Sequence, residues 1–212
     1  MFAMKRNSLL TVITLGAVAL LNGSIAQAES KSFTGAAVSL GLGASRNHVE
    51  YGAFLAGRSS TKTDTALKID GSYGIALSPQ WVLTLGANMN LNKSDYGNVS
   101  YLNGGVPATV KARIKDQVSF YVAPGFRIAP QWLLYGKLSW QQARSEFSDS
   151  SVGAGRRTHN GTGWGLGVSR SIGYQWEARA EIQHIDFDKK SSALSTGQPD
   201  STEAFLYLDY RF

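Results

Sequence analysis

Between Trp81 and Leu91 every odd-numbered residue is apolar: Trp81, Leu83, Leu85, Ala87, Met89 and Leu91. The even positions include Thr84, Gly86, Asn88 and Asn90. Side chains alternate between the two faces of an extended strand, so this segment makes a strand with one greasy and one wet face. Six apolar positions of one parity exceed what a mean globular strand of about 5–6 residues needs, and suit a membrane-spanning strand of about 9–11.

The same pattern recurs along the chain. Ala204, Leu206, Leu208, Tyr210 and Phe212 share one face, with Phe205, Tyr207, Asp209 and Arg211 on the other. Ile114, Val118, Phe120, Val122, Phe126 and Ile128 read as outward, alternating with inward Lys115, Gln117, Ser119, Tyr121 and Arg127, while Asp116 breaks the outward set. Further strands are predicted over Thr34–Arg46, Thr65–Leu77, Trp132–Glu146, His159–Ser171 and Trp176–Asp186. Eight antiparallel strands close into a ring with both ends on one side of a bilayer. Closure is required because hydrocarbon offers no partner to an unpaired backbone N–H or C=O.

Three tight connections share a form: Ser78-Pro79-Gln80-Trp81, Ala129-Pro130-Gln131-Trp132 and Gly173-Tyr174-Gln175-Trp176. Each sets turn residues directly before a strand-opening Trp, and they read as the periplasmic turns. Trp81, Trp132 and Trp176 then stand at one level with Tyr210 and Phe212 as an inner aromatic girdle, and Trp140 marks the other rim. The remaining connections, about Asn47–Lys62, Lys93–Arg113, Phe147–Thr158 and Phe187–Thr202, are longer and polar, and are expected as extracellular loops.

The N-terminus reads as a cleavable export signal. Lys5 and Arg6 precede an apolar run from Leu9 to Leu21 and the small-residue pattern Ala26-Gln27-Ala28, which places the leader at residues 1–28 and a single barrel domain at 29–212. Losing that leader removes two positive charges and no acid, so the formal net charge of +6 falls to +4. Such a mild, scattered charge gives no phosphate-tracking face and argues against nucleic acid. The chain has no cysteine, which excludes disulfides and thiolate metal sites, and no metal or other cofactor is expected.

The leader, the glycine-rich stretch Gly35–Gly43, the eight alternating strands and the closing Leu206-Tyr207-Leu208-Asp209-Tyr210-Arg211-Phe212 together resemble the OmpA-like and opacity-type superfamily of small outer-membrane β-barrels. The resemblance implies an all-β, eight-stranded up-and-down barrel in a bacterial outer membrane. It further implies that Tyr210 and Phe212 are read by the barrel assembly machinery. It leaves activity open, because a fold does not fix a function.

Parity places Lys68, Asp70, Lys115, Arg127, Lys137, Glu177, Arg179, Glu181, Asp209 and Arg211 inside the barrel. An eight-stranded barrel is just wide enough for its own side chains, so a closed network of paired charges is expected ahead of an open channel. Inward Gly35, Gly41, Gly43, Gly163, Gly165 and Gly167 leave space that water or a narrow pore could use. The three histidines, His48, His159 and His184, yield no nucleophile–base–orienter set, so no catalytic residue is assigned. Arg156 and Arg157 are candidate contacts for lipopolysaccharide phosphates at the outer rim. These observations point to a monomeric structural and surface-interaction protein displaying four loops toward lipopolysaccharide, host or envelope ligands. A low-conductance porin-like channel is the transport alternative, and lipid A modification a remote one.

Overall fold

The computed structural model describes residues 32–53, 58–150, 153–191 and 195–212. The expected leader, residues 1–28, lies outside them. The chain forms β1 (Gly35–Ala53), β2 (Arg58–Ala76), β3 (Trp81–Asn90), β4 (Ser94–Asn103), β5 (Val106–Ala129), β6 (Trp132–Asp149), β7 (Gly153–Ser171), β8 (Trp176–Phe187), β9 (Lys190–Ser191) and β10 (Ser195–Arg211). Eight of these pair antiparallel in the order β1-β2-β3-β5-β6-β7-β8-β10, and β10 pairs back onto β1, so the sheet closes on itself. This is the eight-stranded all-β barrel that the alternation predicts.

The stagger of the ring can be followed from partner to partner. Trp81 pairs with Phe126, then Leu134, Val168, Ala180, Leu206, Leu42 and Leu67 in turn around the barrel. The circuit returns to the starting strand at Leu91, whose N–H donates to the Leu67 carbonyl at 2.8 Å, ten residues beyond Trp81. Such a shear tilts the strands by roughly 40° from the barrel axis. Outward Val38, Leu40, Leu42, Leu134, Leu138, Leu206 and Leu208 are all exposed, as a lipid-facing wall requires.

The polar segments expected as long loops are largely strand. β1 and β2 pair as far out as Tyr51 and Arg58, and β6 and β7 pair through Asp149 and Gly153. Within the expected loop Lys93–Arg113, β4 folds back on the outer half of β5 through Gly104 and Gly105, with φ of +59° and +85°. Two consecutive left-handed residues make the tight hairpin turn whose twist matches the flanking strands, and glycine adopts it without strain. The sheet therefore continues well beyond the hydrocarbon. Its outer extension is polar on the outward face and its apolar residues, Val49 and Ala143 among them, point inward, so it lacks the outward apolar row by which a membrane strand is recognised.

One parity assignment is overturned. The β5–β6 register shifts between Lys115 and Val118, and Asp116 sits at φ +49°. This bulge reverses the facing of what precedes it. Ile114 is buried in the interior, while Lys115 turns outward and pairs with Glu146. The space expected beside the glycines is also occupied. Tyr207 lies directly across from Gly41, Tyr121 from Gly86 and Tyr135 from Gly167, each ring standing where a side chain on the glycine would go. Phe205 covers Gly43 in the same way. Gly163 is met by Gln183 and Ser139, and Gly165 by the backbone of Ile182 and Gln183.

Candidate functional site

The interior is stacked in layers. At the periplasmic end the chain folds back into the barrel mouth, and Phe33 packs with Val82, Tyr121, Ala123, Leu133 and Tyr135. Phe33 holds φ +72°, a conformation uncommon outside glycine, and its N–H donates to Glu177 Oε1 at 2.9 Å. Arg211 binds the Glu177 carboxylate through two nitrogens, at 2.7 and 2.9 Å. Arg127 donates to the carbonyls of Pro79 at 2.8 Å and Ser32 at 2.9 Å, tying the first turn and the N-terminal segment to the wall.

Above this plug lies the charge network. Arg179 reaches Asp70 at 3.2 Å and Asp209 at 3.1 Å, and lies 4.1 Å from the centre of the Tyr207 ring. Lys137 donates to Glu181 at 2.8 Å, Tyr135 donates to the same carboxylate at 2.9 Å, and Tyr121 donates to Asp70 at 3.0 Å. Lys68 forms an ion pair with Glu203, both side chains buried. A cavity of about 30 Å³ lined by residues including Ser72, Ser169, Arg179 and Asp209 separates plug from network, a volume that suits a single water.

Of the ten charged residues that parity assigned to the interior, nine lie in or at the mouths of the barrel, and Lys115 does not. Glu203 belongs with them, although the alternating set of the last strand as read from the sequence begins only at Ala204. It shares the odd parity of Phe205, Tyr207 and Asp209, which is the signal that could have found it. With Glu203 included, the described residues of the membrane-embedded interior hold five cations (Lys68, Arg127, Lys137, Arg179, Arg211) against five carboxylates (Asp70, Glu177, Glu181, Glu203, Asp209). Buried charge is tolerable when it is matched and hydrogen-bonded in this way.

Two further layers complete the filling. Asn90 donates to Gln117, Gln117 to Gln141, Gln141 to Ser139, and Gln183 also to Ser139, a belt of amides spanning the lumen. Beyond it Val49, Tyr96, Ile114, Ala143, Ile185 and Phe187 form an apolar cap. His159 is buried near this cap with Nε2 3.0 Å from Ser145 Oγ, a pairing across β6 and β7 that residue spacing alone does not disclose.

The outer wall carries the remaining candidates. Trp81, Trp132 and Trp176 face outward at the periplasmic edge, where Trp81 meets Phe126 and Trp176 meets Tyr210 edge-on, each pair 5.1 Å apart. Tyr210 in turn meets Phe212 at 5.1 Å, and the Phe212 N–H donates to the Ala36 carbonyl at 3.0 Å. Toward the other rim Trp140 stacks on Phe120 at 6.2 Å.

Above that pair stands a mixed belt on the outside of β4 to β7. Arg144 pairs with Asp116 at 3.1 Å, Glu146 accepts from both Lys115 and Arg156, and Asp95 from Lys62 at 2.7 Å with Arg113 at 4.0 Å. Lys62 reaches Asp95 from β2, where its ladder partner is the buried Asn47; among the described outward residues of β4 to β7 in these pairs, four cations against three acids leave this arc net positive. The Lys115 hydrogen bond holds the Glu146 carboxyl below its ordinary value, with Arg156 adding to it. For Asp95 burial pushes the other way, but the Lys62 ammonium, the Gly97 N–H and Arg113 outweigh it and the carboxyl is held low. Arg156 and Arg157 are separated by the strand itself: Arg156 pairs with outward Glu146, whereas Arg157 sits opposite Ser145 on the inner face. Adjacent residues of one strand cannot share a face, so the two do not form one phosphate site.

A family model described as an outer membrane protein beta-barrel domain matches residues 15–212. Among solved structures the chain is similar to Neisserial surface protein A, with 13% identity, 82% of this chain and 97% of that one covered, and a TM-score of 0.50. It is similar to the outer membrane protease OmpT from Escherichia coli, with 9% identity, coverage of 84% and 96%, and a TM-score of 0.52. Ail, the attachment invasion locus protein of Yersinia pestis, matches with 14% identity, coverage of 81% and 97%, and a TM-score of 0.43. At these identities the likeness is one of fold. No curated protein matches the sequence.

Proposed function

We propose that this chain, which belongs to the outer membrane protein beta-barrel domain family, acts as a surface-interaction protein of the bacterial outer membrane, using the outside of its barrel and its extended strands. The observation that carries this reading is the filled interior: matched ion pairs lie between the Phe33 plug and the apolar cap of Val49, Ile185 and Phe187. Side chains that fill a lumen and satisfy one another leave solute no path, and the chemistry available to partners is then on the outside.

The net-positive arc of Arg113, Lys115, Arg144 and Arg156 stands just above the Phe120–Trp140 pair, at the level of lipopolysaccharide phosphates. Lipopolysaccharide is the partner this belt fits, with Arg156 contributing and Arg157 not. The protein would mature by losing residues 1–28, be recognised by the barrel assembly machinery through Tyr210 and Phe212, and act as a monomer. No catalytic role is assigned to Ser145, His159 or any other residue. An enzymatic reading instead requires altered lipid A on mass spectrometry between cells with and without the protein.

Binding of purified lipopolysaccharide to the reconstituted protein tests the proposal. Replacing Arg113, Arg144 and Arg156 together by Ala is expected to weaken binding about tenfold or more at low salt, as loss of charge-assisted pairing does. Affinity equal to that of the parent would remove the belt from the account.

A further inference from the structure

The lipid-facing wall is not uniformly convex. Centred on β8 and β10, a shallow, open apolar depression of about 560 Å³ faces the bilayer, reaching β1 on one side and β6–β7 on the other. Its floor is Ala180 and Ala204, its walls are Leu42 and Leu206 on one side and Leu166 and Ile182 on the other. The cause is local sequence: outward positions that hold leucine on neighbouring strands hold alanine here, so the wall is lower by most of a side chain. Directly across the ladder Ala204 pairs with another small outward residue, Ala44 on β1, and the next outward residue of β1 is Arg46.

Depth follows from the register. Val38 is the ladder partner of Tyr210 in the inner aromatic group, and Arg46 lies eight residues further along β1. At about 3.3 Å per residue and roughly 40° of tilt the rise is about 20 Å, which puts Arg46 at the outer edge of the hydrocarbon. The Ala180–Ala204 floor lies in the half of the membrane beneath it. Arg46 is exposed, its ladder partners are Thr202 and Thr63, and it makes no ion pair with a carboxylate among the described residues. His184 donates to or accepts from Thr202 at 3.0 Å beside it, and Asp186 and Asp200 stand one step further out, beyond the arginine.

We infer that this groove seats one acyl chain of the outer-leaflet glycolipid, lipid A, with a lipid A phosphate drawn to Arg46. An apolar trough one strand wide fits a hydrocarbon chain, and an arginine at its outer end supplies the charge complement for an outer-leaflet phosphate. The inference rests on the lipopolysaccharide contact proposed above, but places a specific lipid lower on the wall, centred on β8 and β10 beside the strands of the cationic arc.

Native mass spectrometry of the protein equilibrated with equal amounts of lipid A and phosphatidylglycerol tests it, with heat-modifiable gel mobility confirming that each variant is folded. The parent should retain one lipid A in preference to phosphatidylglycerol. Ala180→Leu with Ala204→Leu fills the trough and should cut retention at least about fivefold, and Arg46→Ala should cut it by about tenfold, as losing a charge-assisted contact does. The cationic-arc variant with Arg113, Arg144 and Arg156 changed to Ala should keep this lipid. If only that variant loses lipid, the groove is wrong and the arc stands; if the groove variants alone lose it, the groove stands, and the arc is decided separately by the lipopolysaccharide-binding measurement above. Unchanged retention in Arg46→Ala, equal retention of phosphatidylglycerol, or a dimer that dissolves when the trough is filled would each overturn the proposal. Should the double leucine variant fail to fold, Arg46→Ala decides.

Discussion

Tyr207 and Gly41 face one another across the β1–β10 ladder, and the Tyr207 ring occupies the volume that any side chain at position 41 would need. Gly86 with Tyr121 and Gly167 with Tyr135 repeat the relationship on other strand pairs. Glycines in these strands are therefore receptacles for rings, a device that lets bulky aromatics lie flat inside a narrow barrel. Gly41→Ala should destabilise the barrel by about 1–3 kcal/mol, the usual cost of overpacking. Outward Gly71, which has open space beyond it, provides the control: Gly71→Ala should be neutral or mildly stabilising. Urea unfolding midpoints in lipid vesicles separate the two, and equal midpoints would show that the ring does not need the glycine.

Lys68 and Glu203 are both buried and paired with each other. Glu203→Gln leaves an ammonium in the lumen without its counter-charge and should cost about 3–5 kcal/mol, whereas replacing both partners with Lys68→Met and Glu203→Leu should cost much less. A double-mutant cycle on unfolding free energy gives the coupling. Additive losses would mean that the pair is incidental to stability.

Acidification should loosen the outer end of the barrel first. Asp95 and Glu146 are held below their ordinary values by Lys62, Gly97 and Arg113 and by Lys115 and Arg156 respectively. A carboxylate lowered in the folded state stabilises it above its ordinary value of about 4, and that contribution is lost as pH falls through and below it. Amide exchange in β4 and the outer half of β5, corrected for intrinsic rate, should be unchanged between pH 7 and 6 and faster at pH 3. Asp95→Asn should give the faster exchange already at pH 6. Equal protection at all three values would contradict the assignment.

The ring of eight strands was legible in the sequence because lipid on one side and a packed lumen on the other enforce strict alternation, as from Trp81 to Leu91. Where that contrast ends, so does legibility. The outer continuation of β1, β2, β6 and β7 reads as loop because its outward face is polar and its few apolar residues face inward, and β4 is marked only by Gly104-Gly105, the turn pair preceding Val106. The bulge at Asp116 carries no warning beyond a charge in an apolar register, yet it moves Lys115 outside and Ile114 inside. Phe33 as a plug and the Ser145–His159 contact depend on chain reversal and strand register, which no local pattern encodes. The Ala180–Ala204 trough likewise arises from residues far apart in sequence that the register brings together.

Planar-bilayer recording on the purified, refolded protein is the most direct test of a closed interior. A lumen filled from the Phe33 plug to the Val49–Phe187 cap should leave the current at the protein-free baseline, and Glu203→Gln should not by itself produce steps while the plug and cap remain. Discrete, reproducible conductance steps from the parent protein would contradict the sealed barrel and move the function from its outer surface to its interior.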